Sequence, residues 1–164
     1  MGLAPADLRR VFGTFATGVT VVTCRVDRRT HGITINSFSS LSLDPPLVLI
    51  CVDRRTIAFT MIPEAGVFAI NILNENQRQI CEFFAKRLAI DPDDEFATIP
   101  HRLGASGAPL VDRALATIQC RLVSRYPGGD HEIFVGEVTD AAILSDTPPL
   151  MFHRGGYPRI VLPA

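Results

Sequence analysis

Metal-ligand spacing is missing from this sequence. Its histidines, His31, His101, His131 and His153, stand far apart, with no HxxxH or HExxH pattern. Cys24, Cys51, Cys81 and Cys120 form no CxxC pair. No structural zinc site, and no metal of any kind, is expected from such spacing. Glycine-rich cradles are missing too: there is no GxGxxG, no GxxxxGK[ST] and no GxSxG. The dinucleotide fingerprint, the P-loop and the hydrolase elbow are thereby excluded. Long apolar runs are also lacking. Residues 47–52 are typical, far short of the roughly 20 that a membrane-spanning helix needs. Neither charge sign dominates: 16 Lys plus Arg against 17 Asp plus Glu leave a net charge of −1. That balance offers no footprint for nucleic acid, and no polybasic segment points to a membrane surface. Asp7, Arg9 and Arg10 stand close to the N-terminus, so no signal peptide is expected. An even cysteine count is compatible with two disulfides, but without a secretory signal four reduced thiols in a cytoplasmic protein are the expected state.

What is present is enough for a packed core. The 164 residues are 47% apolar and 20% charged, which excludes wholesale disorder. A chain of this size buries about 68–70% of its unfolded surface, and residues 1–164 are expected to form one domain. Residues 5–16 carry Leu8, Val11, Phe12 and Phe15 at i, i+3, i+4 and i+7, predicting a helix with one apolar stripe. Residues 19–26 and 32–38 read as a hairpin around a polar turn. After Asp44-Pro45-Pro46, residues 47–52 read as a buried strand, and Thr56 is placed to cap a short helix ended by Pro63. Residues 67–73 read as a strand and 74–87 as a helix; residues 88–109 form the long irregular stretch. Ala116, Ile118, Cys120 and Leu122 alternate with Thr117, Gln119 and Arg121, the pattern of a half-buried strand. It returns through Pro127-Gly128-Gly129-Asp130 into residues 131–144, and residues 150–153 form a last short strand. Six or seven strands with few helices predict a mainly β, antiparallel barrel or sandwich.

Four groups of residues are candidates for chemistry. In residues 34–42, strand alternation puts Thr34 and Asn36 on one face and Ile33 and Ile35 on the other. An Asn amide donates and accepts, as the pyrimidine edge of a flavin or a nucleobase requires, and the serines beside it can donate to hydroxyls or phosphate. The same residues also make an ordinary serine-rich loop that satisfies its own backbone. Asp53-Arg54-Arg55-Thr56 is either a phosphate site at a helix N-terminus or a solvated charged turn. Lys86-Arg87 reads as cations at a helix C-terminus. His131, at a hairpin mouth, is a proton donor, a contact for a ring substrate or an exposed turn histidine. Glu137 is expected to pair with an arginine.

Taken in order, several stretches resemble one family. They are Phe15-Ala16-Thr17-Gly18-Val19-Thr20-Val21-Val22-Thr23, the run from His31-Gly32-Ile33-Thr34-Ile35-Asn36-Ser37-Phe38 to Asp44-Pro45-Pro46-Leu47-Val48-Leu49, Phe68-Ala69-Ile70-Asn71-Ile72-Leu73, Gly129-Asp130-His131 and Phe134-Val135-Gly136-Glu137-Val138. The sequence is similar to the short-chain flavin reductases over nearly its whole length. That resemblance implies a split β-barrel with a Greek-key core, a homodimer, and FMN or FAD in a groove near the dimer interface. It also implies NADH or NADPH as hydride donor and a flavin-dependent monooxygenase as recipient. Carried over by position, Thr34, Ile35, Asn36 and Ser37 would meet the isoalloxazine and ribityl chain. Ser40, Cys51, Val52, Asp53 and Thr56 would line the ribityl and phosphate end. Phe84, Ala85 and Lys86 would close on the phosphate, and His131 would stand near the nicotinamide. The ending Arg154-Gly155-Gly156-Tyr157 departs from the family's commoner Gly-Arg-Tyr. The same fold is compatible with a flavoprotein reducing a metal complex or corrinoid, and with a non-catalytic flavin- or haem-binding barrel.

Overall fold

The computed structural model describes residue 2 and residues 4–85 and 95–161. Helix α1 (Pro5–Phe12) leads through β1 (Thr17–Gly18) into a hairpin of β2 (Thr20–Val26) and β3 (Arg29–Ile35). A second hairpin, β4 (Ser39–Leu43) and β5 (Pro46–Asp53), is followed by α2 (Ile57–Ala65) and β6 (Val67–Ile72). A 3-10 turn then runs into α3 (Arg78–Ala85). Short β7 (His101–Leu103) and β8 (Pro109–Val111), the long pair β9 (Ala116–Gly128) and β10 (His131–Ile143), and β11 (Met151–Phe152) complete the described chain.

The main sheet has seven strands in the order β3-β2-β6-β9-β10-β5-β4, every neighbour antiparallel. β6, β9 and β10 form a meander and β5 returns beside β10, which is a Greek key. One cluster of buried residues takes Val22 and Cys24 of β2, Ile50 and Val52 of β5, Phe68 and Ile70 of β6, and Phe134 of β10. Residues from so many strands meet only if the sheet coils on itself. Its two edges, β3 and β4, are consecutive in the chain, so the barrel is split between them. Ser37 staples the split: its hydroxyl donates to the Cys51 carbonyl at 2.9 Å and accepts from the Cys51 N–H at 3.1 Å. The mainly β, split-barrel expectation holds.

Local departures have physical causes. Pro63 does not end α2 but sits inside it; the helix stops at Gly66, whose φ of 68° is the left-handed conformation glycine tolerates. Burial of Ala58, Met61 and Ile62 outweighs the hydrogen bond the proline removes. Thr56 precedes the helix but does not cap it, because its hydroxyl donates to the Asp53 carbonyl at 2.7 Å. α1 ends at Phe12, earlier than its stripe implies, and buries none of its residues. Val11, Phe12 and Phe15 are 63%, 69% and 76% exposed in the single chain, so the stripe does not face this core. The stretch read as irregular contains the β7–β8 pair, and its Phe96 and Ile99 are buried. β9 is not half-buried over its first half: Thr117 and Gln119 are buried as well as Cys120. The segment 104–108 covers that second face, where Gln119 accepts from the Ser106 N–H and hydroxyl. Glu137 pairs with Arg121 as expected. All four cysteines are free, and burial pushes the Cys24 and Cys120 thiols up to about 12. Among the described residues no helix is long and apolar enough to cross a membrane.

Candidate functional site

Strand alternation decides what faces the split. On β5, Val48, Ile50 and Val52 point into the core and are at most 4% exposed, so Cys51 faces outward between them. Opposite it stand Thr34 and Ile35 at the end of β3, and Asn36 directly after it. α3 packs over this edge, held by the Thr34 hydroxyl donating to the Cys81 carbonyl at 2.7 Å. The tip of the β9–β10 hairpin closes the far end, because His131 pairs across the sheet with Asp53. The result is a groove of about 260 Å³ lined by Ile33, Thr34, Ile35, Asn36, Ser37, Cys51, Asp53, Thr56, Phe84, Ala85 and His131.

Ten of the sequence-derived candidates therefore come together in one place. Two do not. Val52 is fully buried in the core, and Ser40 lies on the exposed edge strand β4, beside a register shift, outside the groove lining. Lys86 lies outside the described residues. The groove adjoins a hollow of about 170 Å³ that shares Thr34, Ile35, Asn36 and Ala85 with it and adds Val19, Cys81, Phe152 and Tyr157. Sequence reasoning missed Cys81; the i, i+3 relation to Phe84 on an amphipathic helix is the signal that it shares a face with it. Tyr157, whose role the sequence left open, contacts the Cys81 thiol at 3.2 Å beneath Arg78, whose guanidinium stands 4.9 Å over the ring. Burial pushes the Tyr157 hydroxyl up to about 12, so it remains a protonated donor.

The electrostatics differ from a bare pair of phosphate-binding arginines. Arg55 folds back on the buried Asp53 carboxylate, donating from its backbone N–H, Nε and NH2 at 2.9, 3.0 and 2.7 Å. Hydrogen bonding to Asp53 raises the Arg55 pKa, and the pair leaves the groove floor close to neutral. Arg54 turns towards Glu132 and the hairpin instead. Thr56 does not cap α2, but the Phe59 N–H donates to the Thr56 carbonyl at 3.2 Å, so of the first turn only the Ile57 and Ala58 N–H groups are left for an anion. Asn36 uses only its amide nitrogen internally, donating to Thr17 Oγ1 at 3.2 Å. His131 Nδ1 lies 2.8 Å from Asp130 Oδ1. That hydrogen bond holds the Asp130 carboxyl below its ordinary value, so the carboxylate is the acceptor and Nε2 is the nitrogen left to the groove. Among the described residues no cluster of His, Cys, Asp or Glu could hold a metal ion.

Residues 12–161 match the family model of the flavin reductase like domain. This chain belongs to the flavin reductase-like family. It is 41% identical over 154 residues to the NADH-dependent FAD reductase of Streptomyces globisporus, covering 93% of this chain and 84% of that protein. It is 39% identical over 150 residues to the reductase component of 4-hydroxyphenylacetate 3-monooxygenase from Thermus thermophilus, with coverages of 92% and 93%. The solved structure of the Streptomyces globisporus NADH:FAD oxidoreductase SgcE6, in complex with NAD and FAD fragments, superposes with a TM-score of 0.89 at 39% identity. It covers 98% of this chain and 97% of that one. The sequence-derived family assignment is correct, and the fold described above is that of a flavin reductase-like oxidoreductase.

Proposed function

We propose that this chain is an NAD(P)H:flavin oxidoreductase whose groove between β3, β5, α3 and the β9–β10 tip takes FMN or FAD and supplies reduced flavin to a monooxygenase component. The observation that carries this is the convergence of an Asn amide, a serine-stapled strand pair, an uncapped helix N-terminus and a histidine on one groove. The donor set fits a flavin: an amide for the alternating N–H and C=O edge of the ring, hydroxyls and backbone for the ribityl chain, helix N–H groups for phosphate. At about 260 Å³ the groove accepts part of such a molecule, and the adjoining hollow extends it. When flavin and dinucleotide are bound, the chemistry supplied is hydride transfer from nicotinamide C4 to flavin N5. The chain's own contribution is position and a proton. Thr34, Ile35, Asn36 and Ser37 orient the ring; Cys51, Asp53 and Thr56 bound the ribityl and phosphate end; Phe84 and Ala85 exclude water along one wall. His131 Nε2 stands at the open end, where it orients the nicotinamide or holds a proton beside the ring.

The exposed apolar stripe of α1 favours a homodimer, since a second copy would cover Val11, Phe12 and Phe15. A cytoplasmic location fits the four free thiols. The test is turnover. Protein treated with chelator is expected to oxidise NADH or NADPH in proportion to added free FMN or FAD, and light scattering on the same sample to give twice 17.9 kDa. Activity that needs restored zinc or iron, or that ignores free flavin while another acceptor supports it, would contradict the reading; a full-rate monomer would remove the dimer.

A further inference from the structure

On the face of β10 opposite His131, a carboxylate is held between two guanidiniums. The Glu132 side chain is only 13% exposed. Its Oε1 lies 2.5 Å from Arg125 Nε and its Oε2 3.5 Å from Arg54 NH2. Both guanidiniums stand over the ring of Phe59, at 5.3 and 5.9 Å from its centroid. Four pieces of chain thus meet at Glu132: β9 through Arg125, β10 itself, the β5–α2 link through Arg54, and α2 through Phe59. Glu132, Arg125 and Phe59 are absent from the groove lining.

Arg54 connects this clamp to the groove. Its backbone N–H donates to the Asp130 carbonyl at 3.1 Å and its Nε to the His131 carbonyl at 3.3 Å. It therefore grips the carbonyls on both sides of the His131 Cα, at the tip of a hairpin whose turn glycine, Gly129, has φ 75°. A mostly buried carboxylate needs charged partners to offset its desolvation, so Glu132 fixes where the Arg54 guanidinium stands. We infer that Glu132 is a positioning residue for His131, acting through Arg54. This rests on the reading of His131 as the nicotinamide-side residue of the groove.

Three variants test it by anaerobic stopped-flow reduction at subsaturating NADH. Glu132→Gln keeps the side-chain shape but removes the charge that holds both guanidiniums. Reduction is expected to slow on the order of tenfold, less than the roughly 100-fold that a 1 Å misplacement can cost, while flavin affinity stays at its wild-type value. Glu132→Asp, which keeps the charge, is expected to recover most of the rate. The double variant with His131→Ala should be no slower than His131→Ala alone, because one effect passes through the other. Wild-type reduction by Glu132→Gln, no recovery in Glu132→Asp, or effects that multiply in the double variant would each overturn the inference. If Glu132→Gln fails to fold, Arg54→Met, which removes the guanidinium through which Glu132 acts, is expected to slow reduction to the same extent, and a wild-type rate in Arg54→Met would overturn the inference. If His131→Ala alone reduces flavin at the wild-type rate, it is the assignment of His131 that fails, and the positioning role falls with it.

Discussion

Replacing His131 by alanine is expected to slow flavin reduction by roughly 10- to 100-fold at subsaturating nicotinamide, the scale of a lost positioning or proton-holding group. Flavin affinity should hardly change. The separation follows from placement: His131 enters at the hairpin tip, opposite Asp53, while Thr34 lies at the end of β3 and Asn36 directly follows it. Its side chain is 41% exposed, so its removal leaves no buried cavity to destabilise the barrel. The Asp130 partner is ionised at neutral pH, and because its pKa is lowered in the folded state, the pair is lost only as pH falls through that lowered value. The measurement is stopped-flow reduction beside a fluorescence titration of flavin binding. Unchanged reduction rates would return His131 to an ordinary exposed turn residue, and weakened flavin affinity with normal reduction would move it to the flavin site.

Gly32→Ala should weaken flavin binding at a position that touches no ligand. A Cβ at Gly32 would lie 2.5 Å from Phe84 Cε1 and 2.6 Å from its Cδ1. The Phe84 ring cannot swing aside freely: it is 5% exposed, packed edge-on against Phe83 at 5.0 Å and tilted against Phe96 at 5.1 Å. Behind it the Gly32 N–H and His31 Nδ1 both meet Glu95 Oε2, at 3.1 and 2.8 Å, which fixes β3 at this point. The added methyl must therefore move the Phe84–Ala85 wall of the groove. Overpacking of this kind costs about 1–3 kcal/mol of stability. Flavin affinity is expected to fall about tenfold for each 1.4 kcal/mol of binding lost. Denaturant unfolding and a flavin titration on one sample check both; a destabilised variant with normal affinity would detach Phe84 from the flavin wall.

Much of this was legible in the sequence because it is local. Period-two alternation and turn residues mark the hairpins, whereas Thr34 to Ser37, Cys51, Asp53 and Thr56 are joined into one site only by the resemblance to the family, because alone they also read as a serine-rich loop and a charged turn. Other parts depend on contacts the sequence does not display. Alternation marks Val52 as the core-facing neighbour of Cys51 only once β5 is known to be covered on one face. Arg54 and Arg55 read equally as a phosphate site and as a solvated charged turn until Asp53 is seen to take one and Glu132 the other. The buried polar face of β9 becomes visible only when segment 104–108 is folded over it, and the stripe that starts on α1 stays exposed among the described residues. Tertiary contacts at long sequence separation decide these cases, and local propensity carries no information about them.

Flavin is expected to occupy the groove between β3, β5, α3 and the β9–β10 tip. A larger cavity of about 970 Å³ competes with it, lined by Asp7, Arg9, Arg10, Val11, Phe12, Phe15, Phe152 and Arg154, and sharing Asn36 with the groove. Amide chemical-shift mapping of the isotope-labelled protein, titrated separately with FMN and FAD, distinguishes the two. Saturable shifts are expected at Thr34, Asn36, Ser37, Cys51, Thr56, Phe84 and Ala85, extending to His131 when a nicotinamide dinucleotide is added. Shifts confined to Asp7, Arg10, Phe12, Phe15 and Arg154, with the Thr34, Cys51 and Thr56 amides unmoved, would place the flavin in the larger cavity instead.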